Sequence, residues 1–192
     1  MSYLEEPLAG FLESVASAEP APGGGAAAAG AVALAAGLSV MSARLSAGHL
    51  DDADELAERA ERLRQHAVPL AQEDARVYGR VLDAYRAPDD GDPEARRERI
   101  RAALAGAADV PLDIAEAGAE VGEISARLAR AGNPNLRGDT VAAALLAEVR
   151  AAAVLVEINT EAGGIAGDRV RRAEEFVTRA AGAARGIAEG NG

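Results

Sequence analysis

Residues 20–43 read PAPGGGAAAAGAVALAAGLSVMSA and contain no charged side chain. An uncharged stretch of this length can cross a bilayer as one helix. This stretch, however, is built mainly from Ala and Gly rather than Leu, Ile or Phe, and it opens with Pro20, Pro22 and three glycines. Because small residues let neighbouring backbones approach closely, we predict a helix buried on all sides, at the centre of a bundle or at a subunit interface. A membrane span is the alternative interpretation.

The rest of the chain predicts an all-helical protein. Ala supplies 49 of the 192 residues, and Ala, Leu, Arg and Glu are good helix formers. No segment shows the alternation of a strand. Helices are predicted over residues 4–18, 26–46, 51–85, 93–131, 140–160 and 169–189, with Pro69 either kinking or dividing the third. We therefore expect residues 1–192 to form a single domain, an antiparallel bundle of five to six helices with short loops.

The charge balance excludes several classes of function. The net charge is −11, all 20 basic residues are Arg, and the chain has neither Lys nor Cys. Disulfides, cysteine-ligated metals, thiolate catalysis and Schiff-base chemistry are therefore excluded. An acidic chain with few aromatic residues is also a poor binder of nucleic acid. The first residues lack the features of a signal peptide, so we expect a cytoplasmic protein. The two histidines form no metal-binding spacing, and we expect no metal.

The apolar content exceeds the need of one small core. The segment over 140–160 is nearly as free of charge as the segment over 20–43. Two such helices offer more apolar surface than a single bundle of this size can bury. We therefore predict a homodimer that covers part of this surface.

Asp74 is the most unusual residue of the apolar pattern. It occupies one position of a stripe whose steps alternate between four and three residues, and whose other members are Leu56, Ala60, Leu63, Ala67, Leu70, Val77, Val81 and Ala84. Burial would raise the pKa of such a carboxyl group, which suits a general acid or base. The alternative is structural: an arginine from a neighbouring helix satisfies Asp74, or the helix is rotated enough to expose it.

Three further groups of residues are candidates for a binding site, each with a structural alternative. Gly23, Gly24 and Gly25, after Pro22, precede a helix whose free N–H groups suit an anion, or they form a plain loop. Asn159 near the end of an apolar helix needs hydrogen-bond partners from the protein or from a ligand. The third group, Asn133, Asn135 and Asp139, consists of ordinary turn and cap residues that also precede an apolar helix.

The chain resembles the cyclodeaminase/cyclohydrolase family over about residues 4–180. This family includes the cyclodeaminase half of formimidoyltransferase-cyclodeaminase and the bacterial methenyltetrahydrofolate cyclohydrolases. The resemblance rests on segments that occur in the family's order, namely residues 11–17 with 20–25, Glu73-Asp74 with Val77-Tyr78, Val110-Pro111-Leu112, residues 132–135 with Asp139 and 142–146, and Ile158-Asn159. No single segment is specific, and the assignment depends on their order and spacing.

The resemblance implies a helical dimer that acts on a tetrahydrofolate derivative without a tightly bound cofactor. One reaction closes 5-formiminotetrahydrofolate to 5,10-methenyltetrahydrofolate with loss of ammonia, and the other opens the methenyl compound with water to 10-formyltetrahydrofolate. Asp74 and Asp139 are the implied catalytic carboxylates, one moving protons and the other pairing with the pterin, in an order left open. The glycines after Pro22, together with Asn133, Asn135 and Asn159, are implied to bind the substrate, and the glycine N–H groups would receive the anionic tail.

Four positions depart from the family pattern. Arg44 and Gly138 replace a usual Asn and Ser, and Leu155 replaces the first Asn of a late Asn-x-x-x-Asn pattern. At His49, where the family usually has basic residues after a glycine, the chain reads GHLDD over 48–52. These departures motivate two alternatives. One is a diverged enzyme acting on an amidine or imine bond of a non-folate small molecule, and the other is a non-catalytic helical dimer.

Overall fold

The computed structural model describes residue 3 and residues 7–88, 91–165 and 167–188. Within these ranges the chain forms seven α-helices and no β-strand, so the all-helical fold class is confirmed. The helices are α1 (Leu8–Val15), α2 (Gly24–Arg44), α3 (Ala53–Arg86), α4 (Pro93–Ala131), α5 (Arg137–Leu146), α6 (Arg150–Ala162) and α7 (Asp168–Ala188), with a 3₁₀ turn over Pro134–Leu136. Residues 4–6 of the first predicted helix and residue 189 of the last lie outside the described residues.

Helix α2 is the uncharged segment, and it packs chiefly on α3 and to equal, smaller extents on α4 and α5. Among the described residues it is the one helix long and apolar enough to cross a membrane, with a mean hydropathy of 1.8, and 61% of that window is buried against the rest of the chain. Within the single chain α2 is not buried on all sides, because Leu34 and Met41 are exposed, so of the two predicted positions the one at the centre of the bundle is not observed and the one at a subunit interface stays a prediction. One face of α2 therefore remains uncovered.

Successive long helices run in opposite directions, as predicted. Asp52 of the α3 cap pairs with Arg127, and Arg59 pairs with Glu120. Residue numbers therefore increase along α3 as they decrease along α4, so the two helices are antiparallel. The Asn159 amide reaches the Ala107 carbonyl while Arg101 reaches the Gly164 carbonyl, so α6 is antiparallel to α4. Pro69 lies inside α3 without dividing it.

Since successive long helices are antiparallel, α2 and α4 run parallel to each other. Two polar contacts join the α2 and α4 segments, seven residues apart on the α2 side. The Ser39 and Ser125 hydroxyl groups are hydrogen-bonded at 2.9 Å. Seven residues later, in the turn that follows α2, Ser46 accepts a hydrogen bond from the Asn133 backbone N–H, also at 2.9 Å. A seven-residue spacing is typical of a coiled-coil seam. The two contacts fix the axial register of α2 relative to α4.

The helix predicted over 140–160 is interrupted, and this part of the prediction is wrong. Helix α5 ends at Leu146 and α6 begins at Arg150, and the intervening Ala147 and Val149 are buried. They pack against Gly118 of α4, where an added Cβ atom would lie 2.1 Å from Val149 Cγ1. Helix propensity did not indicate the break because tertiary packing at Gly118 causes it.

Candidate active site

A groove of about 290 Å³ lies at the end of the bundle where α2 begins. Helix α4 forms the floor of the groove, through Ala107, and helices α3 and α6 form its two walls. The segment before α2 covers the remaining side. The residues that line it are Pro20, Ala21, Gly23, Gly24, Gly25, Asp74, Ala75, Val77, Tyr78, Ala107, Leu155, Ile158 and Asn159. We call this the Asp74 end of the bundle. It brings together the predicted Asp74, Asn159 and the three glycines, whereas Pro22 is buried and does not line the groove.

The Asp74 carboxylate lies against the first turn of α2 and accepts a hydrogen bond from the Ala26 N–H. Burial raises the pKa of this carboxyl group above its ordinary value of 3.8, and the Ala26 hydrogen bond opposes that effect only in part. Among the described residues no arginine forms an ion pair with Asp74. The predicted alternative of an arginine partner therefore does not apply, and Asp74 lines the groove.

Gly25 makes this position of Asp74 possible. A Cβ atom on Gly25 would lie 2.0 Å from Asp74 Oδ1 and 2.3 Å from its Cγ, closer than any real contact allows. Gly25 and Gly24 also carry N–H groups of the first helical turn, which have no acceptor inside a helix. The glycine run thus seats the carboxylate at the positive end of α2 and leaves polar backbone at the wall of the groove.

The opposite wall of the groove is mostly apolar. Asn159 Nδ2 donates to the Ala107 carbonyl at 3.1 Å, which holds the amide over the floor of the groove. Leu155 and Ile158 precede it on α6, and Tyr78 lies across the groove, one helical turn after Asp74. A flat ring can pack between these side chains while its polar edge meets Asp74 and Asn159.

The remaining predicted site residues lie at the other end of the bundle, which we call the Asn133 end. The Asn133 side chain donates to the Leu45 carbonyl and accepts from the Asn135 N–H, at 3.2 Å and 3.0 Å. Asp139 is half-buried in the first turn of α5. Leu45 and Ala26 are 19 residues apart along α2 and its last turn, so at 1.5 Å per residue about 28 Å separates Asn133 from Asp74. Within one chain, the two groups of predicted residues do not meet.

The positions that depart from the family pattern divide in the same way. Leu155 lines the groove at the Asp74 end. Arg44 and His49 are exposed near the Asn133 end, and Gly138 has open space around the position of a Cβ atom. The described residues contain no cluster of three or more His, Asp or Glu side chains that could hold a metal ion. The polar groups that line the groove include the Asp74 carboxyl group, the Asn159 amide and backbone N–H groups of the glycine run.

Comparison with known proteins identifies the family. The family model described as formiminotransferase-cyclodeaminase matches residues 7–170. The chain belongs to this family. It is 34% identical over 166 residues to a methenyltetrahydrofolate cyclohydrolase of Methylorubrum extorquens, covering 81% of this chain and 80% of that protein. It is also 32% identical over 152 residues to the mouse formimidoyltransferase-cyclodeaminase, covering 74% of this chain but 28% of the mouse protein.

The fold matches a solved member of the family. The crystal structure of formiminotetrahydrofolate cyclodeaminase from Thermotoga maritima superposes with a TM-score of 0.84 at 27% sequence identity, covering 96% of this chain and 94% of that one. The helices that build the groove therefore belong to a family architecture, and the resemblance found in the sequence is confirmed.

The groove residues that sequence reasoning did not predict include Tyr78, Ala107 and Ile158. Tyr78 follows Asp74 by four residues, the spacing that places two side chains on one helix face, and this signal was available. Ala107 contributes its carbonyl oxygen, which no side-chain pattern reveals. Ile158 is an exposed apolar residue beside Asn159, and its role follows only from the position of α6.

Proposed function

We propose that this chain is a folate-dependent one-carbon enzyme that opens 5,10-methenyltetrahydrofolate with water to give 10-formyltetrahydrofolate. The observation that carries the proposal is the Asp74 carboxylate, seated on the first turn of α2 in an open groove, without an arginine partner among the described residues and with a raised pKa. The identity to the Methylorubrum cyclohydrolase over most of both chains supports the choice of this reaction.

The reaction needs a base, and Asp74 is the residue that can supply it. Water adds to the methenyl carbon of the cationic N5–CH–N10 bridge, and Asp74 takes the proton that the water loses. The bond between that carbon and N5 then breaks, N5 receives a proton from the carboxyl group, and the formyl group stays on N10. One proton is released overall. A carboxylate of raised pKa suits both steps, because the same group must first accept a proton and then return it.

The shape of the groove suits the pterin end of the substrate. The apolar side chains of Leu155 and Ile158 pack against a ring face, Asn159 meets its polar edge, and Asp74 is left beside the N5–CH–N10 bridge. The anionic tail extends past the mouth, where Gly24 and Gly25 offer N–H groups at the positive end of a helix. In this proposal the tetrahydrofolate derivative is substrate, no tightly bound cofactor takes part, and the active species is a homodimer.

A second candidate reaction is the closure of 5-formiminotetrahydrofolate with loss of ammonia. The close superposition on the Thermotoga cyclodeaminase favours it. Here N10 attacks the carbon of the protonated formimino group, Asp74 takes the proton that N10 loses and passes it to the departing amine, and the bond from the carbon to that nitrogen breaks to release ammonia. The same carboxyl group serves both reactions because each passes through a tetrahedral carbon flanked by nitrogen.

Absorbance measurements separate the candidates. The methenyl compound has a near-ultraviolet chromophore, so its decay above the spontaneous rate after addition of protein supports the hydrolase. Its appearance from the 5-formimino compound supports the deaminase instead. If neither assay shows activity and calorimetry shows no binding of tetrahydrofolate, the proposal of folate chemistry for this chain is wrong. The alternative of a non-folate amidine substrate, motivated by Leu155 in the groove, would then be tested with small amidines.

A further inference from the structure

Helix α4 carries a proline in its interior, one helical turn after a residue that lines the groove. The proline is Pro111, and its side chain is fully buried. In an α-helix the N–H of each residue donates to the carbonyl four residues earlier. Proline has no N–H, and its ring crowds that same carbonyl. The carbonyl that Pro111 leaves without a helical donor is that of Ala107, at the floor of the groove.

A side chain of α6 supplies the donor that α4 lacks at this point. Asn159 Nδ2 lies 3.1 Å from the Ala107 carbonyl oxygen, an ordinary length for an N–H···O hydrogen bond. Ala107 is 4% exposed, so water has little access to this carbonyl, and leaving its oxygen unpaired would be costly. The Asn159 amide therefore takes the place of the backbone group that Pro111 does not have.

This hydrogen bond decides which way the Asn159 amide is turned. A carbonyl oxygen can only accept, so the amide atom that faces Ala107 must be the nitrogen. The other atom is then the oxygen Oδ1, which can only accept as well. In the part of the chain that the structure describes, no donor bonds to Oδ1, although Asn159 lines the groove. The oxygen is thus left to accept a hydrogen bond from a molecule in the groove.

A second proline inside a long helix provides an internal comparison. Pro69 lies inside α3 and leaves the carbonyl of Gln65 without its helical donor. Pro69 and Gln65 are both exposed, so water can bond to that carbonyl. The carbonyl freed by Pro111, in contrast, is buried beside the groove and bonded by a side chain of the groove. The two prolines have the same effect on their helices but different surroundings.

We propose that Pro111 is a positioning residue of the groove, because by withholding an N–H from the Ala107 carbonyl it holds Asn159 with Oδ1 presented as an acceptor. The ligand group that this arrangement selects is a ring N–H or an amino group at the edge of a flat molecule. A ring edge that carries only acceptors would meet Oδ1 without a hydrogen bond and bind more weakly. The orientation of the amide is independent of the proposed function, whereas its use in binding a tetrahydrofolate derivative rests on that function.

Nuclear magnetic resonance of the Asn159 amide tests the orientation without any ligand. The chain contains four asparagines, at positions 133, 135, 159 and 191, so asparagine labelled with ¹⁵N in its side chain gives four NH₂ pairs. The Asn159 pair is assigned by its absence from the Asn159→Ala variant. In the wild-type chain this pair should exchange with solvent more slowly than that of the exposed Asn135. Equal exchange of the two pairs would overturn the proposal without any variant at Pro111.

Pro111→Ala supplies an N–H that competes for the Ala107 carbonyl. The Asn159 pair should lose its hydrogen-bond shift and exchange about tenfold faster with solvent. Pro69→Ala is the matched control, because it also restores a helical N–H and should leave the Asn159 pair unchanged. Circular dichroism checks the fold, and if the lost volume unfolds Pro111→Ala, Pro111→Val supplies the same N–H with a larger apolar side chain. An Asn159 pair that does not respond in a folded variant would overturn the proposal.

Calorimetry with tetrahydrofolate tests the consequence for binding. Pro111→Ala and Asn159→Ala should each raise the dissociation constant about tenfold, as expected for the loss of one neutral hydrogen bond. The double variant should bind no more weakly than Asn159→Ala alone, because both changes act through the same Oδ1 atom. Pro69→Ala should bind like the wild type. Additive losses in the double variant would show that Pro111 acts independently of Asn159 and would overturn its positioning role.

The two measurements keep this proposal separate from the proposed function. If the wild-type chain does not bind tetrahydrofolate but the Asn159 amide responds to Pro111→Ala as expected, the positioning role stands and the folate function is wrong. If the chain binds tetrahydrofolate and the amide does not respond, the function stands and the positioning role is wrong.

Discussion

The two ends of the bundle use the same kind of residue for different purposes. At the Asn133 end, both the amide N–H and the amide oxygen of Asn133 are hydrogen-bonded to backbone atoms of its own chain. These polar groups stabilise a turn. At the Asp74 end, the carboxylate has one backbone donor, a raised pKa and an open groove in front of it. We infer that Asp74 is a better candidate for chemistry than Asn133, because the chain leaves the carboxylate with fewer hydrogen-bond partners and in front of an open groove.

The largest expected effect comes from Asp74→Asn. The amide can still accept the Ala26 hydrogen bond, so the fold should survive, but it cannot take up a proton from water. We expect kcat to fall by about 10²–10⁴ with little change in melting temperature. The matched control is Glu73→Gln, at the neighbouring carboxylate that pairs with Arg76, which should keep near-normal rates. Full activity of Asp74→Asn would remove the central assignment.

Gly25→Ala tests whether the seat of the carboxylate matters. The new Cβ atom would collide with Asp74 Oδ1, and the carboxylate must turn away from the first turn of α2. A displacement of this size should lower kcat about 10²-fold. Gly79→Ala, a helical glycine of α3 with open space around it, should retain activity and gain about 1 kcal/mol of stability. Equal activity of the two variants would show that the position of Asp74 is unimportant.

The pH dependence of kcat/KM should report the titration of Asp74. Only the ionised carboxylate acts as base, so the rate should rise tenfold per pH unit up to a pKa above 3.8 and then level. The rise of kcat/KM with pH should be absent from the residual activity of the Asp74→Asn variant. The folded chain holds this proton more tightly than the unfolded chain. The contribution of Asp74 to the free energy of unfolding therefore decreases as the pH rises from its ordinary pKa of 3.8 to its raised pKa in the folded chain. A limb that persists in the variant would assign the titration to another group.

The sequence could predict several of the residues that share the groove, but not which other candidates lie far from it. Asp74 interrupts an apolar stripe, and a glycine run before a helix permits close approach, so both signals are local. The separation of Asp139 from Asp74 is not local, because it follows from the parallel packing of α2 on α4 and the path of the chain after α4. The break at Ala147 likewise depends on Gly118, almost 30 residues away, and no pattern within residues 140–160 contains that information.

Asn133→Ala should give the smallest effect and completes the comparison of the two ends. It removes the acceptor for the Asn135 N–H and the donor to the Leu45 carbonyl, so we expect a loss of about 1 kcal/mol in the free energy of unfolding, measured with urea. Asn135→Ala is the control: this exposed residue uses only its backbone N–H here, so its loss should stay within about 0.5 kcal/mol. Equal stabilities of the two variants would contradict the structural role of Asn133 and make a direct role in binding the better explanation of its position.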